Sequence, residues 1–491
     1  MRRRRFVAST TCVLKLKLLP VDHEKRSLDG QSKICNWLFN NLLERANKLK
    51  EEFKASGDTK ISKILYSKRG LRNLLPALKE EKPFLKSVHS SPLKNTALRL
   101  SKSIQAFQKS RKGQRRGKAQ GWPKFKSFKK QFFSLEYEEP NKGYKIQDGY
   151  LILSLGLGEK KKRHSLKIAM PDSNLLKHKN ITGLRITKEI GEYFAVFTIV
   201  KDLPVAKPIA RVIALDPNHK NLAYGVDNNG EAIEIQSPFW LKAYDKRMDE
   251  LKSKRDRCKR RAHLIQETND QGGVIRTYWQ SSRRYQRYER VLMRAQAKRR
   301  EQIKTYRNTV ANALCRRYDL ISIGDYAPHG GGLNTKMRRA MNNRSTIGKF
   351  KAALRWCGQK SGKTVVEWDE KGSTRTCHGC DIALPEGLDP SVRAWICPVC
   401  RLHHLRDENS AINGLRRVCK TKGAPKYIGA VPSSGPVFVK KRWAWRVLPS
   451  GVLCTPRGQD SFTKGNRQEI KLKDWDPSIQ AVQSCAVHVQ V

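Results

Sequence analysis

Four cysteines stand as two closely spaced pairs, a pattern typical of a metal site. Cys377 and Cys380 form the first Cys-x-x-Cys pair, and Cys397 and Cys400 form the second, with 16 residues between the pairs. Each turn places two sulfurs on one side of a tight loop, so two turns complete a tetrahedral thiolate site that predicts Zn²⁺. Four thiolates leave no open position, so we expect a structural zinc. Three nearby histidines can compete as ligands but are not needed: His378, His403 and His404.

Two aspartates occupy places where carboxylates from different elements can converge. Asp216 ends the apolar run that begins at Val212, and Asp407 follows the second cysteine pair at the start of a helical stretch to Arg417. Carboxylate oxygens suit Mg²⁺ or Mn²⁺, and two such ions about 4 Å apart hydrolyse phosphodiesters. An aspartate at a helix start also stabilises the helix dipole, so Asp407 by itself does not establish a metal site.

The charge balance indicates a polyanionic partner. The 491 residues include 100 Lys and Arg against 44 Asp and Glu, a formal net charge of +56. Such an excess destabilises a compact protein through self-repulsion unless a polyanion neutralises it. Nucleic acid is the natural candidate, because neutralised phosphates release condensed counterions. The length suits about two to four domains. A ribosomal or merely basic protein is the alternative.

The sequence also argues against membrane insertion and secretion. It has no run of about twenty apolar residues that could span a bilayer. The basic start is followed by the segment Phe6–Pro20, which polar residues interrupt, so no secretory signal is predicted. The other eight cysteines are scattered, which is typical of reduced thiols in a reducing compartment: Cys12, Cys35, Cys258, Cys315, Cys357, Cys419, Cys454 and Cys485.

Hydrophobic periodicity predicts the elements of the N-terminal half. Alternating residues from Cys12 to Leu18 predict an opening strand. Helical spacing then predicts helices at 21–54, 60–74 and 92–108. Residues 109–126 are a Gly-rich basic linker that cannot fold by itself. Short strands are predicted between Phe132 and Val205.

A second domain is predicted to open at Arg211. Strands at 212–216 and 221–227 precede a long basic tract, Leu241–Arg317, which is predicted to form an antiparallel helix pair with a break at Gln271. Most of its charges are expected to be solvated, and some are placed to contact phosphates. A strand at 319–323, a helix at 345–360 and a strand at 364–368 follow. Alternating strands and helices predict an α/β core.

The residues after the second cysteine pair complete a longer motif. Arg406-Asp-Glu-Asn-Ser-Ala-Ile-Asn413 follows the two pairs and the Arg393-Ala-Trp between them. This arrangement resembles the C-terminal signature of TnpB, a family of transposon-associated RNA-guided nucleases related to Fanzor proteins and type V CRISPR effectors. Ala214-Leu-Asp-Pro-Asn-His resembles the first acidic motif of the family's RuvC-like domain. The strong motifs cover 211–418, and a looser resemblance to the wedge region begins at Pro123.

One position departs from the family's pattern. The second acidic motif of the family ends an apolar strand with glutamate, whereas this chain has Gly324, which cannot coordinate a metal. Glu370 is the candidate replacement, because it follows the strand 364–368 and some family members carry a displaced glutamate before the knuckle. Glu367, Asp369 and Asp325 are competing carboxylates, and a catalytically dead site is a further alternative.

The resemblance implies a multidomain α/β protein with five parts. They are a β-barrel wedge (1–19 and 119–205), a helical recognition domain (20–118), a RuvC-like RNase H fold nuclease (206–371 and 405–420), a zinc-ribbon insert (372–404) and a C-terminal tail (421–491). The tail is expected to be largely disordered, with partial docking through Trp443, Trp445 and Trp475. Basic and aromatic linker residues are expected to contact nucleic acid: Arg111, Arg115, Arg116, Lys118, Trp122, Lys124, Phe125 and Lys126.

The function implied by the resemblance is RNA-guided cleavage of DNA for a mobile element. Asp216, Glu370 and Asp407 would bind Mg²⁺ or Mn²⁺, guide RNA would be a further cofactor, and double-stranded DNA would be the target. Guide pairing would supply specificity beside a short flanking motif. We expect a monomer with no membrane partner, in the bacterial cytoplasm at the nucleoid, or in the nucleus of a eukaryotic host. The alternatives are a nuclease-inactive RNA-guided repressor and a transposase accessory protein acting on transposon ends.

Overall fold

The elements fall into two compact units, residues 1–202 and 203–491. A computed structural model describes residues 9–115, 117–127, 132–157, 163–205, 208–219, 221–238, 240–326, 346–389, 392–420, 439–448, 451–457 and 466–469. Each unit contains both helices and strands, which confirms the predicted multidomain α/β class.

Helices make up the middle of the first unit. They are α1 (Asp22–Ser56), α2 (Thr59–Tyr66), α3 (Gly70–Asn73), α4 (Leu75–Glu81), a 3-10 helix (Pro83–Ser87) and α5 (Ser90–Arg111). Helix α1 begins where the Glu24 carboxylate accepts the Val21 N–H (2.8 Å) and ends at Gly57, whose positive φ of 66° suits glycine. Its apolar stripe, which includes Leu28, Leu38 and Leu42, is fully buried. The predicted helices at 21–54 and 92–108 are therefore confirmed, whereas the one predicted at 60–74 is divided into α2 and α3.

Seven strands flank these helices in the sequence. They are β1 (Ser9–Leu18), β2 (Ser134–Tyr137), β3 (Tyr144–Gln147), β4 (Tyr150–Leu157), β5 (Arg163–Ala169), β6 (Asn180–Glu189) and β7 (Glu192–Asp202), with a 3-10 helix at Pro171–Leu176. They form a sheet in the order β1-β7-β6-β2 and a second in the order β3-β4-β5. A bridge between Leu19 and Ala169 links them. The first strand thus pairs with strands that follow the helices.

The described part of the basic linker is anchored to α1, although it forms no regular element. The Asn40 side chain bonds the backbone of Lys126 twice, accepting from its N–H (2.8 Å) and donating to its carbonyl (3.0 Å). The Trp122 indole N–H donates to Asn47 (2.8 Å). Side chains of the helix therefore supply the order that the linker sequence lacks. Of the predicted contact residues in this linker, Arg116 lies outside the described residues.

The second unit is built on a mixed sheet. Its central strands are β8 (Val212–Asp216), β9 (Ala223–Asp227), β10 (Glu231–Ile235), β13 (Leu320–Gly324) and β14 (Thr364–Trp368), in the order β14-β13-β8-β9-β10. Strands β8, β13 and β14 run parallel, and β9 is antiparallel to both of its neighbours. All five residues of β8, β9 and β13 are buried, as predicted from their apolar runs.

The two ends of the long basic tract are helical, but its centre is not. Helix α6 (Leu241–Lys259) and helix α7 (Arg283–Arg317) are separated by the antiparallel hairpin β11 (His263–Thr268) and β12 (Val274–Gln280). The prediction of a simple helix pair with a break was therefore wrong for 263–280. Gly272 adopts a positive φ of 80° in the turn, and β12 is rich in β-branched and aromatic residues that favour strands.

The remaining helices and strands follow β13 in the chain, and the first of them precedes β14. They are α8 (Ile347–Ser361), β15 (Val392–Ile396), β16 (His403–Leu405), α9 (Arg406–Lys420), β17 (Lys441–Leu448), β18 (Gly451–Pro456) and β19 (Asn466–Glu469). Strand β19 pairs in parallel with β15. Among the described residues, none of these or the earlier helices combines the length and apolar character that crossing a bilayer requires.

Part of the C-terminal tail, which was expected to be largely disordered with partial docking, forms strands of the central sheet. Strand β17 pairs in parallel with β10 and β18 continues the sheet beyond it. Trp445 is 2% exposed in the core formed with β10 and α7, and Trp443 packs at its edge, so the predicted docking of these two residues is confirmed. Trp475 lies outside the described residues. These short apolar segments without helical period are ordered because the sheet edge buries them.

We predict that Trp445→Ala destabilises the second unit by about 3–5 kcal/mol, because it leaves a cavity under the added strand. Urea unfolding followed by circular dichroism would measure the loss. Leu453→Ala, on the neighbouring strand at 44% exposure, is the matched control and should change stability by less than about 0.5 kcal/mol. Equal stability of Trp445→Ala and the wild type would contradict the docking of this strand.

Candidate metal centres

Three of the predicted acids come from separate elements and meet at one edge of the central sheet. Asp216 is the last residue of β8 and is 7% exposed. The neighbouring strand β13 ends at Gly324. Because Ile323 pairs with Leu215, Gly324 lies next to Asp216 at the same end of the two strands. Asp407 lies in the first turn of α9, which packs against β8 and β9. Asn218, two residues after Asp216, donates its side-chain amide to the Asp407 carboxylate (3.4 Å) and so connects the end of β8 to α9.

The Glu370 side chain fills the volume that a side chain at position 324 would need. A Cβ placed on Gly324 would overlap with the Glu370 carboxylate and would lie 2.5 Å from its Cγ. Real Cβ atoms do not approach other atoms so closely. The carboxylate therefore reaches the end of β13 from a different strand, where the sequence lacks an acid. The metal-binding role of Glu370 stays a prediction, but its location is the one that role requires.

Strand β14 and the residue Trp368 aim Glu370 at this place. Trp368 ends the strand, is 4% exposed and donates its indole N–H to the Leu215 carbonyl on β8 (3.3 Å). On its other side the ring lies against α9 at Gly414, where a Cβ would come within 2.5 Å of the ring. A glycine there lets the helix approach. Two residues after this anchored tryptophan, Glu370 turns back toward the sheet edge.

The competing carboxylates have other partners. Glu367 points toward α8, where it pairs with Arg355 and lies 3.9 Å from the Lys351 ammonium. Asp369 accepts the backbone N–H of Lys371 (2.9 Å). Asp325 accepts the backbone N–H of Glu370 (3.1 Å). Asp325 thus orients the backbone of the residue with which it was expected to compete.

Helix α9 holds the turn that connects Glu370 to the first cysteine pair. Asn409 and Asn413 both donate their amides to the carbonyls of Ser373 and Thr376, at 2.8–3.2 Å. Asn409 also accepts the backbone N–H of His378 (3.0 Å). The motif that identifies the helix in the sequence includes both asparagines, yet spacing alone did not reveal this clamp. It acts on a segment more than thirty residues away.

Like charges crowd the three acids. Burial, followed by the charges of Asp407 and Glu370, raises the pKa of Asp216 well above its ordinary value. Burial raises the pKa of Glu370 to about 7. One oxygen of Glu370, Oε1, is buried and has no hydrogen-bond partner among the described residues. Hard carboxylate ligands of this kind suit a divalent metal, which would relieve the repulsion and satisfy that oxygen. Among the described residues, however, the cysteine cluster is the group whose ligand atoms already lie close enough together to hold one ion, and the three carboxylates are not drawn together to that degree.

Positive side chains surround the acids, and the sequence analysis did not single them out for this site. Lys351 on α8 is 7% exposed, donates to the Tyr326 carbonyl (3.2 Å), and lowers the pKa of Glu370 against the larger effect of burial. Arg393 on β15 lies 3.5 Å from the Asp407 carboxylate. Arg406 interacts with the charge of Asp407 and Asp216. Their spacing in the sequence carries no signal, because each comes from a different element.

The four paired cysteines form one compact cluster. The ligand atoms of Cys377, Cys380, Cys397 and Cys400 all lie within 4.8 Å of one another. Hydrogen bonding from Cys377 holds the pKa of Cys397 well below its usual range, whereas contacts with Cys380 raise the pKa of Cys377. Four sulfurs this close together fit Zn²⁺, and they leave no open position for a reaction.

Of the three histidines, His404 approaches the cluster. Its Nε2 lies 3.1 Å from the Cys377 sulfur, and its ring stacks near Trp395 at 4.3 Å between centroids. The His378 ring lies against His404, and burial lowers its pKa to about 3. His403 is exposed. His404 is therefore placed to hydrogen-bond the Cys377 thiolate and so to fix its position. The sequence analysis considered the histidines only as competing ligands.

The residue after Asp407 ties the same helix to the C-terminal strand. Glu408 accepts two hydrogen bonds from Arg442 on β17 (2.8 and 2.9 Å) and one from the Tyr224 hydroxyl on β9 (2.8 Å). Both members of the ion pair are mostly buried. Tyr224 pairs with Asp216 in the sheet. The two aspartates are thus flanked by a shared hydrogen-bonded network, which no local sequence pattern indicated.

Comparisons with known proteins agree with the family indicated by the motifs. Residues 348–414 match the family model described as Cas12f1-like, TNB domain, a span that includes Glu370, all four cysteines and Asp407. This segment of the chain is thus similar to that domain of Cas12f1-like proteins. No curated protein matches the chain.

Two solved structures illustrate the similarity. A Cas12f1-sgRNA-target DNA complex has a TM-score of 0.48 at 10% identity, covering 82% of this chain and 98% of that chain. The mini-RNA-guided endonuclease CRISPR-Cas_phi3 has a TM-score of 0.36 at 12% identity, covering 89% and 95%.

We predict that the metal-free protein loses stability as pH rises. The pKa of Glu370 is about 7 in the folded state against 4.5 normally, so the folded state retains a proton that the unfolded state releases between those values. This stabilisation is fully present below about pH 4.5 and is lost as pH rises through about 7. In buffer without added Mg²⁺ or Mn²⁺ at about pH 8, Glu370→Gln should therefore melt above the wild type, and at about pH 4 the two should coincide. A pH-independent difference would contradict the buried acid.

We predict that Cys380→Ser lowers bound zinc from about one ion per chain to near zero, because a structural site depends on all four thiolates. Elemental analysis of the purified protein would measure it. The isolated, exposed Cys454 provides the matched control, since Cys454→Ser should retain the metal. Full zinc occupancy in Cys380→Ser would exclude the four-thiolate site.

Proposed function

We propose that this protein is an RNA-guided DNA endonuclease of a mobile element that cleaves its target by two-metal hydrolysis. The observation that carries the proposal is the Glu370 carboxylate at the volume left by Gly324, beside Asp216. An inactive protein would not need to place two half-buried acids, Glu370 and Asp407, where their charges act on the buried Asp216. The match of 348–414 to the Cas12f1-like model supports the same class.

The proposed nuclease domain is RuvC-like, with an RNase H fold. Five central strands, of which β9 alone is antiparallel to its neighbours, lie in a seven-stranded sheet and support this assignment. The four-cysteine segment would be a zinc-ribbon insert between Glu370 and Asp407. The strands of the first unit would form the wedge and its helices the recognition domain. The charge of +56 supports guide RNA and target DNA as partners.

The side chains present have distinct tasks in this mechanism. Asp216, Glu370 and Asp407 would hold Mg²⁺ or Mn²⁺, which supply an activated water and stabilise the leaving oxygen. Ser410 donates to one oxygen of Asp216 (3.0 Å) and so fixes its orientation. Arg393 and Arg406 place positive charge beside Asp407, where an approaching phosphate would be stabilised.

We predict that Glu370→Ala lowers cleavage by at least about 100-fold, since a metal ligand matters at least as much as its supporting residues. Gly324→Glu in that background should restore part of the activity, because the acid returns to the same sheet edge. Cleavage of guide-matched DNA would be measured with the RNA that copurifies with the chain. Wild-type cutting by Glu370→Ala would remove Glu370 from the site.

Two glycine-to-alanine substitutions, each adding one methyl group, provide matched controls for this prediction. Gly324→Ala should reduce cutting while Glu370 is intact, because the added Cβ displaces its carboxylate. Gly348→Ala should be neutral, since nothing lies within 4 Å of a Cβ there. A complex that binds guide-matched DNA but does not cut it with any divalent metal would instead favour the RNA-guided repressor.

A further inference from the structure

The hairpin formed by β11 and β12 exposes apolar side chains on an arm without a core of its own. Leu264, Val274, Ile275 and Trp279 are 49%, 56%, 69% and 70% exposed. Every residue of the two strands is exposed except Ile265 and Tyr278, which are half-buried. Two strands alone are marginally stable in water, and exposed apolar side chains such as these are typical of a binding surface.

The two faces of the hairpin differ in chemistry. Leu264 lies opposite Trp279, and Gln266 lies opposite Thr277, so this face is uncharged and carries the exposed indole. On the other face the Arg276 guanidinium lies 5.2 Å from the centre of the Tyr278 ring. The first face therefore offers a flat aromatic surface bordered by hydrogen-bonding groups.

Dense positive charge surrounds the base of the arm. The segment Arg283–Arg300 of α7 has eight Lys or Arg residues against one Glu. The residues that follow the hairpin most closely are exposed: Arg283, Arg284, Arg287, Arg290 and Arg294. So are the residues just before it: Arg257, Lys259, Arg260 and Arg261. A second copy of this basic arm would be repelled, whereas a polyanion with apolar rings would be attracted.

We propose that this hairpin binds a single-stranded segment of nucleic acid, with Trp279 stacking on an unpaired base and the adjoining arginines contacting phosphates. Aromatic stacking and a basic track are the combination that binds single strands with little sequence preference. A closed duplex keeps its bases stacked on each other and would engage only the arginines. The choice of nucleic acid as partner rests on the proposed function, but the site is separate from the acids.

Substitutions at position 279 separate stacking from apolar contact. Trp279→Leu should weaken binding of a single-stranded oligonucleotide by about tenfold, and Trp279→Phe should retain most of it. Fluorescence anisotropy of the full chain with a labelled 20-mer RNA, a 20-mer DNA strand and the corresponding duplex would measure this. Duplex affinity should not change with either variant. The RNA and DNA arms show which strand the site prefers.

Substitution of the arginines should change the same binding measurements in a different way. Arg283→Gln with Arg287→Gln should weaken all three ligands and lower the salt dependence of binding by about one to two units in the logarithmic slope. Thermal melts should be unchanged for every variant, because the side chains are exposed. Equal single-strand affinity of Trp279→Leu and the wild type would overturn the proposal.

Two further outcomes would also overturn the proposal. Loss of a concentration-dependent dimer in Trp279→Leu, with unchanged oligonucleotide binding, would assign the hairpin to a second copy. An equal loss of duplex and single-strand affinity would exclude base stacking. Guided DNA cleavage by the same preparations distinguishes the two proposals, since a cutting enzyme with an inert hairpin fails only this one.

Discussion

A carboxylate and a β-carbon cannot occupy the same volume, and this exclusion governs the candidate site. Glu370 reaches the end of β13 only because position 324 is glycine. The register places Gly324 next to Asp216, so a second acid at this position must come from another segment of the chain. Trp368, anchored on the Leu215 carbonyl, supplies the fixed point from which Glu370 turns back. The glycine and the glutamate are therefore one structural unit, although they are far apart in the sequence.

The helix that carries Asp407 joins this unit to the cysteine cluster. Its asparagines bind carbonyls of the turn that begins at Glu370 and ends at Cys377. Any shift of the cysteine-bearing insert would therefore move the glutamate as well as the aspartate. A closed four-thiolate cluster is suited to this role, because metal binding supplies folding free energy to a short segment with little core of its own. The insert also contributes Arg393 to the neighbourhood of Asp407.

The C-terminal strand completes the support from the other side. Arg442 binds Glu408 with two hydrogen bonds in a mostly buried setting, where loss of one partner would leave an uncompensated charge. This strand enters the sheet beside β10 after a long segment that has no periodicity in the sequence. The acids are thus held through hydrogen bonds from three sides: the sheet, the turn before the cysteines and the C-terminal strand.

Local pattern accounts for much of this protein. The buried strands of the second unit are continuous apolar runs, so β8 and β13 were predictable together with the acid or glycine at their ends. The cysteine cluster was predictable because Cys-x-x-Cys is a local geometry. The basic tract was misread between 263 and 280, where an exposed hairpin has no buried face to impose a period of two. The strand β17 within the tail could not be predicted from local pattern, because it has a partner only in the assembled sheet.

The sequence by itself determined which residues are chemically capable: the four thiols, Asp216, Asp407 and a short set of candidate glutamates and aspartates. Only the tertiary structure distinguished among that set. Glu367, Asp325 and Glu370 are close in sequence or in strand register, and their composition does not separate them. Their partners do, because Glu367 pairs with Arg355 and Asp325 binds a backbone N–H, while Glu370 fills the space beside Gly324. Side-chain direction depends on packing between distant strands, which no local pattern records.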